Sequence, residues 1–272
     1  MANRGRRSRP QTVLQVLSTQ ALSPHLIRVW VGGAAMAGFE DNGYTDHYVK
    51  IWFAKPELGL TPPYDLDALR ETLDPADLPV TRTYSIAVVE PDRLAIDFVY
   101  HGAEGLAGPW AASAKPGDLI AFMGPGGAYS PDPEADSHLF AGDESAIPAI
   151  SAALADLADK APESTGAAYL EVDGPADELR LVAPTGLSVH WLHRDGAPAG
   201  TSTVLSDAVA AHSFDGRVQV FAHGEREAMK RIRAVVKERQ VPAEDLSLSG
   251  YWAYGRTEDR FQAEKREPIG IV

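Results

Sequence analysis

Apolar and polar positions keep two different rhythms along this chain. In the first half they form short β-branched and aromatic stretches broken by proline and glycine, the pattern of strands separated by tight turns. Residues 12–31 (TVLQVLSTQALSPHLIRVWV) predict two strands around a Ser-Pro turn, and residues 46–53 (DHYVKIWF) a third. Residues 82–89 (RTYSIAVV), 93–100 (RLAIDFVY) and 118–123 (DLIAFM) extend the set, set apart by Pro91-Asp92, Pro116-Gly117 and Pro125-Gly126-Gly127. Within 93–100, Ile96, Phe98 and Tyr100 alternate with Asp97 and Val99, which predicts a half-buried strand. Residues 54–79, rich in proline, leucine and acid, predict a long insertion, and a short helix is expected from Pro109 (GPWAASA). Many short strands joined by turns predict an antiparallel barrel.

A polar, proline-containing segment at 130–137 (SPDPEADS) reads as a linker. Beyond it strands alternate with helices. Strands are predicted at 138–141 (HLFA), 167–172 (AAYLEV), 179–182 (LRLV) and 217–222 (RVQVFA). Helices are predicted over 145–159, with Ile147, Ile150, Leu154 and Leu157 on one face, over 201–211, and over 225–239 with Met229, Ile232, Val235 and Val236 inward. This alternation predicts a mostly parallel sheet with helices on both faces. The expected architecture is therefore an antiparallel β-barrel over 12–133 followed by an α/β domain over 134–272.

Composition narrows the chemistry. There is no cysteine, which excludes a disulfide framework, thiolate metal ligands and a cysteine nucleophile, and fits a reducing compartment. The net charge of −13 opposes binding to nucleic acid or anionic lipid. No apolar run is long enough to span a membrane. The N-terminus, MANRGRRSRP, carries Arg4, Arg6, Arg7 and Arg9 with no apolar signal core after it, and is expected to be a frayed basic tail. A cytoplasmic chain is expected, and a monomer, since no long hydrophobic seam is visible. HExxH, Walker A and GxSxG motifs are absent, and the eight histidines are scattered, so no metal site is expected.

Five runs could carry chemistry. Arg82-Thr83-Tyr84-Ser85 opens a barrel strand and combines a ring to lie on a flat ligand, hydroxyls to hydrogen-bond it and a guanidinium for phosphate; alone, it reads as an ordinary edge strand. Residues 101–111 place glycines at 102, 105 and 108 before Pro109, Trp110 and Ala111, so that backbone and a helix start can approach a diphosphate; His101 is equally a ligand contact or a structural residue. Gly124-Pro125-Gly126-Gly127 is either a turn or a close approach to a ring. Gly142-Asp143-Glu144-Ser145 sits where a strand passes into a helix, the place α/β sheets put ligands, and Gly224-Glu225 holds the equivalent place before the last helix; helix capping alone explains either. Tyr251, Trp252 and Tyr254 dock on the core or cover a flat cofactor.

Together and in this order, these runs resemble the siderophore-interacting protein family of flavin-dependent ferric-siderophore reductases and, more distantly, the ferredoxin–NADP reductase superfamily. The resemblance extends over about residues 12–267. It implies a ferredoxin-reductase-like fold, with an FAD-binding barrel and an NAD(P)H-binding α/β domain. It places Tyr84 near the isoalloxazine with Arg82, Thr83 and Ser85 beside it, and His101, Gly102, Gly108, Pro109, Trp110 and Ala111 around the ribityl-diphosphate. Gly142, Asp143, Glu144, Gly224 and Glu225 would face NADH or NADPH, Trp252 would close over the flavin side, and Lys50 and Arg256 are basic candidates near a ferric siderophore. Tyr84 and Ser85 would act nearest the chemistry: hydride transfer from NAD(P)H to flavin, then single electrons to chelated iron(III). Ala87, Leu106, Ala253 and Tyr254 depart from the family pattern, which more often has arginine, proline and basic residues there; this bears on the charge around the substrate more than on FAD. Two other functions are compatible with these residues, a general flavin or ferredoxin-type reductase and a non-catalytic ferric-siderophore binding protein.

Overall fold

The computed structural model describes residues 10–272, so the four N-terminal arginines lie outside the described residues. Six strands form the first half: β1 (Thr12–Ser23), β2 (Leu26–Gly32), β3 (Tyr48–Phe53), β4 (Val80–Val89), β5 (Arg93–Val99) and β6 (Leu119–Gly126). They close into a barrel in the order β1-β2-β5-β4-β3-β6, with every pairing antiparallel. Val29, Val31, Val49, Ile51, Ile86, Ile96, Phe98 and Phe122 fill it. The insertion between β3 and β4 contains a helix, α1 (Leu66–Thr72), capped by the Asp65 carboxylate. Helix α2 (Ala107–Ser113) has Pro109 in its first turn, where a missing N–H costs nothing.

Two barrel expectations need correcting. Strand β6 runs through Gly124-Pro125-Gly126, which is therefore strand and not turn, with an irregular register against β3. Strand β5 is buried from Leu94 to Phe98 without alternation. Asp97 does face outward, but Arg28, its cross-strand partner on β2, covers it with two bonds of 2.7 and 2.8 Å. Burial pushes the Asp97 carboxyl up while the guanidinium opposes the shift.

The second half follows the order β7 (Ser137–Asp143), α3 (Ile147–Lys160), β8 (Thr165–Val172), β9 (Gly186–His193), α4 (Val204–Ala211), β10 (Val218–Glu225), α5 (Arg226–Glu238), β11 (Leu246–Trp252) and α6 (Glu258–Glu264). Its sheet is wholly parallel, in the order β11-β10-β7-β8-β9. Helix α3 packs Ile147, Ile150, Leu154 and Leu157 on the face shared with Leu26 and Tyr129 of the barrel half. Helices α4 and α5 cover the other face through Leu205, Val209, Met229, Ile232 and Val236.

Residues 179–182 are not a strand. Leu179, Leu181 and Ala183 instead pack on the α3 side of the sheet, doing there the work of a helix in the β8–β9 connection. The third and last strands, β9 and β11, and helix α6 were not expected. Strand β9 (GLSVHWLH) lies at the sheet edge with exposed and half-buried residues, so its apolar pattern is weak.

Candidate functional site

The β4 run faces both the barrel core and its rim. Val49 and Ile51, cross-strand partners of Tyr84 and Arg82, belong to the core, and Tyr84 packs against it. The Tyr84 ring tilts on Phe98 at 4.5 Å, and Phe98 meets Trp110 of α2 at 5.5 Å. Burial raises the Tyr84 phenol, and Glu258 adds to this against Arg82, so the hydroxyl stays neutral. Thr83 is exposed opposite exposed Lys50, and Ser85 is buried opposite Tyr48. Arg82 does not stand free: it reaches Asp259 of α6 at 3.1 and 3.4 Å and the Thr81 carbonyl at 2.8 Å.

Around α2, His101 and the residues to Leu106 are largely exposed, and open space surrounds Gly102 and Gly105. Gly108 is different, since a Cβ there would sit 3.0 Å from the Val99 carbonyl. It lets α2 lie close to the end of β5, with Ala111 buried beneath it.

The α/β side converges on Asp143. Gly142 lies between α3 and β10; a Cβ there would come within 2.6 Å of Ala146 and 3.0 Å of the His223 carbonyl. Gly224 has φ +152°, and a Cβ would meet the Asp143 carboxylate at 2.6 Å. That close approach lets Asp143 Oδ2 accept from the Glu225 N–H and from the Trp252 indole, each at 2.8 Å. Oδ1 accepts from the Ser145 N–H and hydroxyl. Burial and the neighbouring Glu144 push the Asp143 carboxyl up to about 6.

Glu144 holds Arg194 in a fork of 2.6 and 2.9 Å. Glu171, on β8 beside them, is pushed up to about 7 by burial and by Asp143. Glu225 caps α5 by accepting from Glu227 N and Ala228 N, whereas α3 begins without a side-chain cap. The first turn of α3, Ile147, Pro148 and Ala149, is itself buried.

Tyr251 joins the halves. Burial raises its phenol, aided by the charges of Asp46 and Asp143 and opposed by a hydrogen bond with Ser85. Beside it, His223 stacks on Phe221 at 3.9 Å and meets the Tyr251 ring edge-on at 4.8 Å. Burial pushes His223 down to about 3, so it is neutral; its Nε2 lies 2.9 Å from Ser247 Oγ and its Nδ1 has no partner.

Thus Tyr84 packs on the barrel core with Phe98 while Ser85, the next residue, is buried, and Gly224, Glu225 and Trp252 close on Asp143 at the ends of the sheet strands. The loop at 101–106 borders α2. Arg256 is committed elsewhere: it joins Arg226 and Arg260 on Glu264, whose carboxyl they hold down to about 2. Lys265 was not foreseen. Its amine is pushed down by desolvation and by Lys50, against Glu258, and it stands over the Phe261 ring at 4.7 Å. Glu171 and His223 were also missed; their only local signal is a polar residue in an otherwise apolar strand. Two open surface clefts, bounded by residues 133–136 with 161–165 and by 59–69, contain none of these groups.

The donor set fits a flavin dinucleotide: a half-buried ring, an exposed hydroxyl, and a glycine loop whose backbone is open beside an aromatic helix start. Residues 15–129 match the siderophore-interacting FAD-binding domain model, and residues 135–255 the siderophore-interacting protein model. An uncharacterized protein of Mycobacterium tuberculosis H37Rv is 43% identical, with 95% of this chain and 96% of the relative covered. The ferric vibriobactin reductase ViuB of Vibrio cholerae is 30% identical over 97% of both chains, and the NADPH-dependent ferric-chelate reductase of Escherichia coli 27% over 88% of this chain and 91% of that one. Among solved structures, a siderophore utilization protein from T. fusca superposes with a TM-score of 0.79 at 34% identity, covering 91% of this chain and 94% of its own. The ferredoxin-NADP+ reductase of Plasmodium falciparum shares the fold, with a TM-score of 0.64 at 13% identity over 89% and 96% of the chains. A closed barrel with an aromatic-hydroxyl rim, joined to a parallel sheet with buried acids at its strand ends and matched along nearly its whole length, makes this chain a member of the siderophore-interacting protein family, built on the ferredoxin-reductase fold.

Proposed function

We propose that this protein reduces ferric siderophores with NAD(P)H through bound FAD, in the cytoplasm, releasing iron(II). One observation carries the reading: the strand ends that hold Asp143, Gly224 and Glu225 lie beside the barrel, Tyr251 of the same sheet packing on the cluster that includes Leu26 and Tyr129 of the barrel half. An electron donor in the crevice and a flat acceptor on the rim would then be neighbours. The division of labour falls near residues 133 and 134, with the barrel holding FAD and the α/β half the donor.

Bound FAD would supply what neither partner has, a group that takes the two electrons of one hydride and gives them up singly, so that one NAD(P)H would reduce two iron(III) ions and yield NAD(P)+ and a proton. Tyr84 offers its ring as the wall beside the isoalloxazine. Ser85 and Thr83 offer hydroxyls for hydrogen bonds to it. His101, Gly102 and the α2 start at Gly108, Pro109, Trp110 and Ala111 border the ribityl-diphosphate. Arg82 joins them when it leaves Asp259, a partner that is 69% exposed and so weakly held. Gly142, Asp143 and Glu144, and Gly224 with Glu225, would face the donor. Trp252, fixed by Asp143, covers its flavin side.

Lys50 and Lys265 place positive charge at the rim, suited to an anionic chelate with hard oxygen donors. Reduction loosens such a chelate because iron(II) is held less tightly by those oxygens. The protein itself need not ligate iron.

Anaerobic stopped-flow spectroscopy of the FAD-loaded protein tests the reading. The flavin band should bleach with NADH or NADPH and recover when a ferric siderophore is added. Failure to bind FAD, or bleaching without recovery on any ferric chelate, would end it. Faster turnover on free flavin or dyes than on ferric siderophores would identify a general reductase.

A further inference from the structure

The sheet order β11-β10-β7-β8-β9 reverses direction between β10 and β7, and open parallel sheets bind nucleotides outside the carboxyl ends of their strands at such a reversal. The neighbouring wall, at the ends of β7 and β8 and just beyond β9, is formed by Asp143, Glu144, Glu171 and Arg194, all buried. NADPH differs from NADH by a 2′-phosphate on the adenosine ribose. Recognising that group takes a cation with donors to spare, whereas an unphosphorylated ribose offers hydroxyls that a carboxylate can accept.

Three of the cations near this edge, Arg194, Arg226 and Lys230, are tied to carboxylates, and Arg231 is not. Arg194 forks onto Glu144 at 2.6 and 2.9 Å and stands 3.7 Å from Glu171; its side chain is 5% exposed, and its Nε is buried without a partner. Arg226 is 4% exposed and held by Glu264 at 2.6 Å and Glu227 at 3.2 Å. Lys230 bridges Glu227 at 3.0 Å and the Ile269 carbonyl at 2.7 Å. Arg231, in the second turn of α5, has a hydroxyl and a carbonyl for partners, Ser206 at 3.2 Å and Ser202 at 3.3 Å. The wall thus sets three carboxylates against one guanidinium already spent on two of them. Burial pushes the Asp143 and Glu171 carboxyls up, and the neighbouring acids add to it.

We infer that the crevice selects NADH over NADPH, with Glu144 the residue that enforces the choice by keeping Arg194 from a 2′-phosphate. The inference rests on the donor crevice proposed above.

The test compares NADH and NADPH as reductants of the FAD-loaded protein in anaerobic stopped flow, and NAD+ and NADP+ as ligands by isothermal titration calorimetry. NADH and NAD+ should be favoured by about tenfold or more, since like charges brought together disfavour the wrong partner. Glu144→Gln frees Arg194, so NADP+ should bind more tightly and the ratio should narrow. Arg231→Ala should leave the ratio as it was. Equal or better use of NADPH overturns the inference, as does a ratio unmoved in Glu144→Gln, or a selective loss of NADPH in Arg231→Ala. If Glu144→Gln does not fold, the unaltered protein and Arg231→Ala still decide. If neither nucleotide reduces the flavin, the donor reading falls, yet the titrations still speak to selectivity: tighter NADP+, or no binding of either, overturns it.

Discussion

Replacing Asp143 with asparagine removes one buried negative charge while keeping the side chain's shape. The carboxyl titrates at about 6 in the folded protein against an ordinary 3.8, because burial and Glu144 disfavour its charged form. The folded state therefore holds a proton that the unfolded chain has released. The group's contribution to stability is greatest in acid, declines as pH rises through the window from 3.8 to about 6, and has gone above it. With these two values, the contribution at about pH 5 exceeds that at about pH 7.5 by about 1.4 kcal/mol. His223 acts in the opposite sense. Its folded value, about 3, lies below its ordinary one, so acidification favours the unfolded chain. It is present in both proteins and cancels in the comparison. Removing the Asp143 charge also relaxes Glu171, which adds in the same direction as the main effect. Urea titrations of the unaltered protein and Asp143→Asn at both pH values measure the difference. The unaltered protein should gain about 1.4 kcal/mol more than the variant on acidification. If the two respond alike within about 0.3 kcal/mol, the carboxyl is not destabilised by burial and the reasoning fails.

Three further outcomes are expected. Tyr84→Ala should raise the Kd for FAD by about tenfold, read by recovery of flavin fluorescence on dilution, because it removes the aromatic wall of the rim; unchanged affinity would refute the stacking role. Arg28→Ala should cost about 3 kcal/mol in urea unfolding by leaving Asp97 buried and unpaired, and Asp97→Asn in the same protein should restore part of it. Gly224→Ala, which drives a methyl into the Asp143 carboxylate, should cost about 2 kcal/mol and detach the Trp252 indole, seen as a shift in tryptophan fluorescence.

The strand-rich half and the strand–helix alternation were legible in the chain because short β-branched and aromatic runs between turn residues read as strands and an apolar face every three to four residues reads as a helix. Helix α3 declares itself through Ile147, Ile150, Leu154 and Leu157, and α5 through Met229, Ile232 and Val236, all of which are buried. Strand β9 did not, because an edge strand needs only part of its surface covered and its sequence is correspondingly mixed. Leu181 looked like strand but packs as a loop residue, since apolar character records burial and not backbone pairing.

What the sequence alone determined about this protein is the type of residue offered at each strand end: the ring and hydroxyls at 82–85, the glycines at 142 and 224, the acids beside them. Which charged side chains stay free is settled by folding. Arg82 is taken by Asp259, Arg194 by Glu144 and Arg256 by Glu264, across separations of 177, 50 and 8 residues. A charge reveals its sign to a sequence reader but not its partner, because pairing depends on distances that close only when the chain is folded.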